Sequence, residues 1–171
     1  MKNEDELAAV LGHEMGHNLA RHAGERISEN LVMGVVRMLS LLVDPTGTLM
    51  SLLLPAQALL WSLPHSREHE AEADRIGVIL ASHACYDPRA AKRVFSRMKA
   101  DAESDSESAR PPEFLSTHPS DDTRLALFDQ WMPAALAQYD GDGGGRCGAV
   151  REEMRHARRI AAAKMDGKEG K

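Results

Sequence analysis

No five residues constrain this 171-residue chain more than His13-Glu14-Met15-Gly16-His17. They read H-E-x-x-H inside a segment with strong helical signals. Asn3 is a capping residue, and Glu6 stands three positions on, as in a capping box. Leu7 to Leu11 favour or tolerate helix, and no proline interrupts before Gly24, so a helix is expected over residues 4–23. Two imidazoles four positions apart differ by about 40° around the axis, so both face one metal ion. Glu14 falls roughly 100° round, beside that ion, where a general base takes a proton from an attacking water. Ala9, Gly16 and Ala20 are small residues on the same side, which lets a second element come close. His22 lies about 180° from His13 and reads as a surface or packing histidine. The competing reading is a chance pairing on a solvated face, and the helical context weighs against it.

A catalytic zinc takes three protein ligands and keeps one position open. The segment Ser66-Arg67-Glu68-His69-Glu70-Ala71-Glu72-Ala73-Asp74-Arg75-Ile76-Gly77 offers the third. Pro64 is expected to stop any helix before it, with Ser66 as the cap of a helix over about 67–84. Two acidic pairs compete at i,i+4. Glu70 and Asp74 share a face with Ala73, Gly77 and Ala81. Glu68 and Glu72 lie with Arg75 on the opposite, charged face, which reads as solvated. Glu70 is therefore the expected third ligand. Asp74, one turn on, is placed to hydrogen-bond a zinc histidine and hold its tautomer. His69 points about 100° away from Glu70 and is the weaker alternative.

With H-E-x-x-H followed by S-R-x-x-E-x-E-A-D-x-x-G, the chain resembles the membrane-associated zinc metalloendopeptidases. That family includes the CAAX prenyl endoprotease and bacterial envelope quality-control proteases. Leu63-Pro64-His65-Ser66-Arg67, Ala84-Cys85-Tyr86-Asp87-Pro88-Arg89 and Leu115-Ser116-Thr117-His118-Pro119-Ser120 resemble its mitochondrial inner-membrane members more closely. The resemblance covers about residues 5–140. It implies a mainly α, gluzincin-type zincin domain with little or no β structure and one Zn2+ per chain. His13, His17 and Glu70 align with the ligands, Glu14 with the catalytic base and Asp74 with the acid behind a ligand. It also aligns His118 with a histidine that occupies or guards the open metal position, and Arg124 with an arginine nearby. A histidine before Pro119 is held extended or in a turn, on a loop; a plain exposed turn is the alternative, as is a surface salt bridge for Arg124. The resemblance further implies membrane-protein or stress-related substrates at the mitochondrial inner membrane, or at a bacterial or other organelle membrane. Relatives carry an upstream edge strand and an anchor, so the chain is expected to be N-terminally truncated.

The length suits one ordinary domain. A net charge of −5 and a pI near 5.9 argue against nucleic acid as a partner. Cys85 and Cys147 do not make a disulfide framework, and each reads as a thiol that binds no metal. Leu31–Val43 and Thr48–Leu63 are apolar runs broken by Asp44-Pro45-Thr46-Gly47, each too short to span a bilayer. Two readings stand beside each other: helices buried under the zinc site, which a compact domain favours, or contact of residues 31–63 with a membrane surface. A helix is expected over about Pro88–Lys99, with Ala91, Val94, Phe95 and Met98 inward. A polar loop then runs over Asp101–Arg110. Ser120 or Asp121 is expected to cap a helix to about Asp129, and Ala134–Gln138 to add a short one. The expected organisation is a peptidase domain over 1–140, a glycine-rich linker over 141–148 and a basic helical tail over 149–171.

These residues point to a zinc-dependent endopeptidase acting on protein or peptide substrates. The rival is a zinc-stabilised binding or chaperone-like domain in which His118 closes the fourth position. A membrane-surface module with an incidental metal is a third reading.

Overall fold

Asn3 opens the first helix as its type dictates: its Oδ1 accepts the Glu6 N–H at 2.9 Å. The computed structural model describes residues 2–104, 122–141 and 145–169. The elements are α1 (Glu4–Leu19), α2 (His22–Val43), α3 (Thr48–Gln57) and α4 (Leu63–His83), followed by α5 (Arg89–Ser104), α6 (Asp122–Asp140) and α7 (Gly145–Glu169). A π-helical turn, Ala58–Ser62, joins α3 to α4. Among the described residues there is no strand, as the mainly α reading expects.

Glu6 does not complete the capping box. Its Oε2 accepts the Lys2 N–H at 2.7 Å, and both its oxygens bind Arg97 of α5 at 2.9 and 2.6 Å. The Arg97 hydrogen bond first, and the Lys2 N–H next, hold the Glu6 carboxyl down at about 2. A carboxyl depressed in the folded state stabilises above its unfolded value near 4.5 and loses that contribution as pH falls towards 2. Glu6→Gln should therefore lower Tm by about 3 °C at pH 7. In thermal melts the gap to wild type should close towards pH 2; a gap that ignores pH would refute this linkage.

The core lies where α1, α4, α5 and α6 meet. Ala9, Val10, Val78, Ala90, Ala91, Val94, Phe95, Phe128 and Ala135 are buried there, with Met98, Leu125 and Trp131 against them. Phe95 and Phe128 stack at 5.8 Å, and Trp131 meets Phe128 edge-on at 5.7 Å. The inward set expected for α5 holds, with Met98 partly covered. That helix runs on through Ser104, so residues 101–104 are helical, and residues 105–110 of the expected Asp101–Arg110 loop lie outside the described residues. One helix replaces the two expected after residue 120, and Pro133 sits inside it.

Three sequence expectations fail for physical reasons. Pro64 does not stop the helix before it. The Leu63 N–H donates to the Ala58 carbonyl five residues back, and this wider ladder accommodates a proline that lacks a donor. The apolar runs are not buried under the site: in α2 only His22 and Ser40 are buried, and in α3 no residue is. Leu31, Leu42, Val43, Leu52 and Leu60 all face outward. Last, Cys85 and Cys147 are not thiols but a disulfide, with Cα atoms 5.0 Å apart across 62 positions. Such a pairing depends on tertiary approach, which spacing does not encode. It ties the start of α7 to the end of α4, and closing a loop of that length is worth about 4 kcal/mol in chain entropy.

Candidate metal centre

α1 and α4 meet backbone to backbone. A Cβ on Gly12 would lie 2.9 Å from the Gly77 carbonyl oxygen, and one on Gly16 would lie 2.7 Å from that of Ala73. A Cβ on Gly77 would fall 2.7 Å from the His13 nitrogen. Small residues at these crossings let the two rods touch, and that contact sets the spacing of the side chains they carry.

His13 and Glu70 are buried, and His17 is half-buried. The His13 and His17 Nε2 atoms lie 3.1 Å apart. Glu70 places Oε2 3.5 Å from His13 Nε2 and Oε1 3.3 Å from His17 Nε2. Among the described residues, these three form the one group whose donor atoms cluster closely enough to hold a metal ion. Zinc bound tetrahedrally at 2.0–2.1 Å needs donors about 3.3 Å apart, so the donor set fits zinc in kind and in spacing.

The outer nitrogens agree with that fit. His13 Nδ1 is 2.8 Å from Asp74 Oδ1, so an Nδ1 proton has its acceptor there and Nε2 is the nitrogen left to take a metal in the triangle. Burial pulls the His13 imidazole down, but hydrogen bonds with Asp74 and Glu70 outweigh it and raise the group to about 8. His17 Nδ1 lies 2.8 Å from His22 Nδ1. Both candidate imidazoles thus have a partner on the side away from the triangle.

Arg124, on α6, is buried at 4% exposure. Its Nε and Nη2 donate to Asp74 Oδ2 and Oδ1 at 2.8 and 2.9 Å, and its Nη1 lies 3.0 Å from Glu70 Oε2. It ties the two carboxylates together from beneath, so the surface salt bridge alternative does not hold. Glu14 is half-buried beside His13 on α1. His118 lies outside the described residues, as do Ser120 and Asp121.

His22 is what sequence reasoning missed. A straight helix through residue 23 puts it on the far side from His13. Instead Arg21 adopts a left-handed backbone, φ 61°, and α2 starts afresh at His22. The turn swings the ring back against His17, where it is 4% exposed. Its Nε2 lies 3.2 Å from Glu72 Oε2, so the charged face expected to be solvated supplies a contact. Burial lowers the His22 pKa, and the Glu72 hydrogen bond opposes that. His69 is also no ligand: its ring stacks on His22 at 4.2 Å, and its Nε2 meets Glu25 at 2.8 Å. A non-glycine left-handed residue leaves no mark in sequence, but the histidines clustered at 13, 17, 22, 65 and 69 were a visible signal.

Two imidazoles from an H-E-x-x-H helix and a carboxylate from a second helix define a zincin-type centre. The model of peptidase family M48 matches residues 1–132, and the chain belongs to that family. Mitochondrial metalloendopeptidase OMA1 of Schizosaccharomyces pombe is 42% identical over 140 residues, covering 81% of this chain and 40% of that protein. The metalloendopeptidase OMA1 of Homo sapiens is 34% identical over 147 residues, covering 77% of this chain and 26% of that protein. The beta-barrel assembly-enhancing protease of Escherichia coli is 30% identical over 138 residues, covering 72% and 26%. This chain therefore spans less than half the length of these curated relatives. No solved structure matches it significantly.

Proposed function

We propose that this chain is the catalytic portion of a zinc-dependent metalloendopeptidase that cleaves membrane proteins or stress-related substrates at the mitochondrial inner membrane. The donor triangle of His13, His17 and Glu70, with a glutamate at the second position of H-E-x-x-H, carries the reading. Bound zinc would supply Lewis acidity to the scissile carbonyl and to the attacking water. Glu14 takes a proton of that water and delivers it to the leaving nitrogen, so the peptide and one water become a carboxylic acid and an amine, which leave as a carboxylate and an ammonium. Asp74 holds a proton on His13 Nδ1, and the Arg124 guanidinium pairs with both carboxylates and offsets their charge in a buried site. His118, by its resemblance to the family's histidine, is assigned the role of guarding the open metal position or of oxyanion donor. Membership of peptidase family M48 supports proteolysis, and the mitochondrial relatives support the location. A disulfide between Cys85 and Cys147 suits a compartment where such bonds persist. The domain is assigned to residues 1–140, with α7 as an appended basic helix.

Glu70→Ala tests the centre. Its zinc content after dialysis should fall to a small fraction of wild type, with cleavage of an unfolded protein lost in parallel. Unchanged tight zinc binding would move the third ligand elsewhere.

Membrane contact through residues 31–63 rests on a separate observation, the outward apolar faces of α2 and α3. Leu42 is 72% and Val43 80% exposed, Leu60 in the following π turn is 75%, and among the described residues no helix is long and apolar enough to cross a membrane. A hairpin of this kind lies in the interface rather than spanning it. The full chain should float with anionic lipid vesicles, and Leu39→Asp with Leu52→Asp should abolish that. Equal flotation of the double variant would refute the contact.

A further inference from the structure

Behind His17 lies a chain of contacts that H-E-x-x-H chemistry does not require. His17 Nδ1 meets His22 Nδ1 at 2.8 Å, and His22 Nε2 meets Glu72 Oε2 at 3.2 Å. The His22 ring is held from the side by His69, whose plane lies 16° from it at 4.2 Å, and His69 is anchored in turn by Glu25. α2 therefore enters the site through its first residue, and α4 holds that residue through Glu72 and His69.

Proton placement makes this chain directional. For His17 to turn a lone pair on Nε2 towards the donor triangle, its proton must sit on Nδ1. His22 Nδ1 lies 2.8 Å from that nitrogen and must then accept. That leaves the His22 proton on Nε2, facing an acceptor, the Glu72 carboxylate. This arrangement of two protons suits both the His17–His22 and the His22–Glu72 contacts. The reverse arrangement puts a proton on His17 Nε2, in the triangle itself. His13 is oriented differently, by a buried carboxylate that Arg124 also holds.

We propose that His22 is a positioning residue of the metal centre: it fixes the tautomer and ring angle of His17 and passes the polarising effect of Glu72 to it. The inference rests on His17 being a metal ligand. Residues that orient a ligand imidazole typically contribute about 10–100-fold to metal affinity.

Zinc affinity, read by competition with a chromophoric chelator, tests this on the full chain. His22→Phe keeps a ring but removes the acceptor, and should weaken zinc binding about 10-fold or more. His22→Asn puts a carbonyl oxygen near the position of Nδ1, and should restore affinity to within about threefold of wild type. A role in packing alone predicts the opposite order, because Phe preserves the stack on His69 and Asn does not. Circular dichroism checks folding; should His22→Phe not fold, Glu72→Ala at its exposed position carries the test, with zinc binding weakened about threefold. Affinity of His22→Phe within threefold of wild type, Asn no better than Phe, or an unaltered Glu72→Ala each overturns the proposal. Failure of the wild-type chain to bind zinc overturns the metal centre itself, so the two failures are distinct.

Discussion

Glu14→Gln should retain zinc at the wild-type stoichiometry while peptide cleavage falls by about 10²–10⁴-fold. The two halves of this result separate because Glu14 is not among the clustered donors, which are His13, His17 and Glu70. A glutamine of the same length sits on the same helix face and leaves Asn3, Asp74 and Arg124 undisturbed. What it lacks is basicity: an amide oxygen accepts a hydrogen bond but does not take a proton near neutral pH. The measurement is paired, metal content by atomic absorption and turnover of a quenched peptide. Undiminished turnover removes Glu14 from the mechanism. Wild-type zinc content with no turnover in either protein, even after His118→Ala, would instead favour a binding domain with a closed metal site.

The second large effect comes from a residue with no side chain. Gly77→Ala should lower Tm by about 10 °C, since overpacking of a rigid contact costs up to about 3 kcal/mol or more. The added Cβ would lie 2.7 Å from the His13 nitrogen, 2.9 Å from the Gly12 carbonyl carbon and 3.0 Å from the His13 Cα. All three are backbone atoms of α1, the helix that carries His13 and His17, so none can rotate away. α1 and α4 must separate, and the distances from Glu70 to the imidazoles open with them. Zinc affinity should therefore fall together with stability. Gly34→Ala is the control: nothing lies within 4 Å of its added carbon, it sits in α2, and helix propensity alone should make it neutral or slightly stabilising. Equal behaviour of the two variants would contradict the close approach.

Helical direction made much of the centre legible. Along α4 the choice of Glu70 and Asp74 over Glu68 and Glu72 follows from a period of 3.6 and the small residues that share their face. The structure brings His13, His17 and Glu70 together as that choice requires. Legibility ended where the chain left regular geometry. Arg21 in a left-handed conformation re-aimed His22, and nothing in an arginine announces that. The π turn before Leu63 carried helix through a proline that reads as a stop. The Cys85–Cys147 bond joins positions brought near only by the packing of α4, α6 and α7. The apolar runs misled for another reason: hydrophobicity predicts removal from water, but it does not say whether protein or another phase provides the cover.

One geometric consequence of the π turn remains. Each of its bonds encloses one residue more than an α-helical bond, and a residue corresponds to about 100° of rotation about the axis. From Thr48 to His83 the backbone is one continuous rod, yet the azimuth of its outer stretch is offset from that of its inner stretch. The leucines of α3 and the carboxylates of α4 thus take their bearings separately. Taking one residue out of Ala58–Ser62 would turn the greasy flank to a new heading and leave Glu70 and Asp74 aimed where they are.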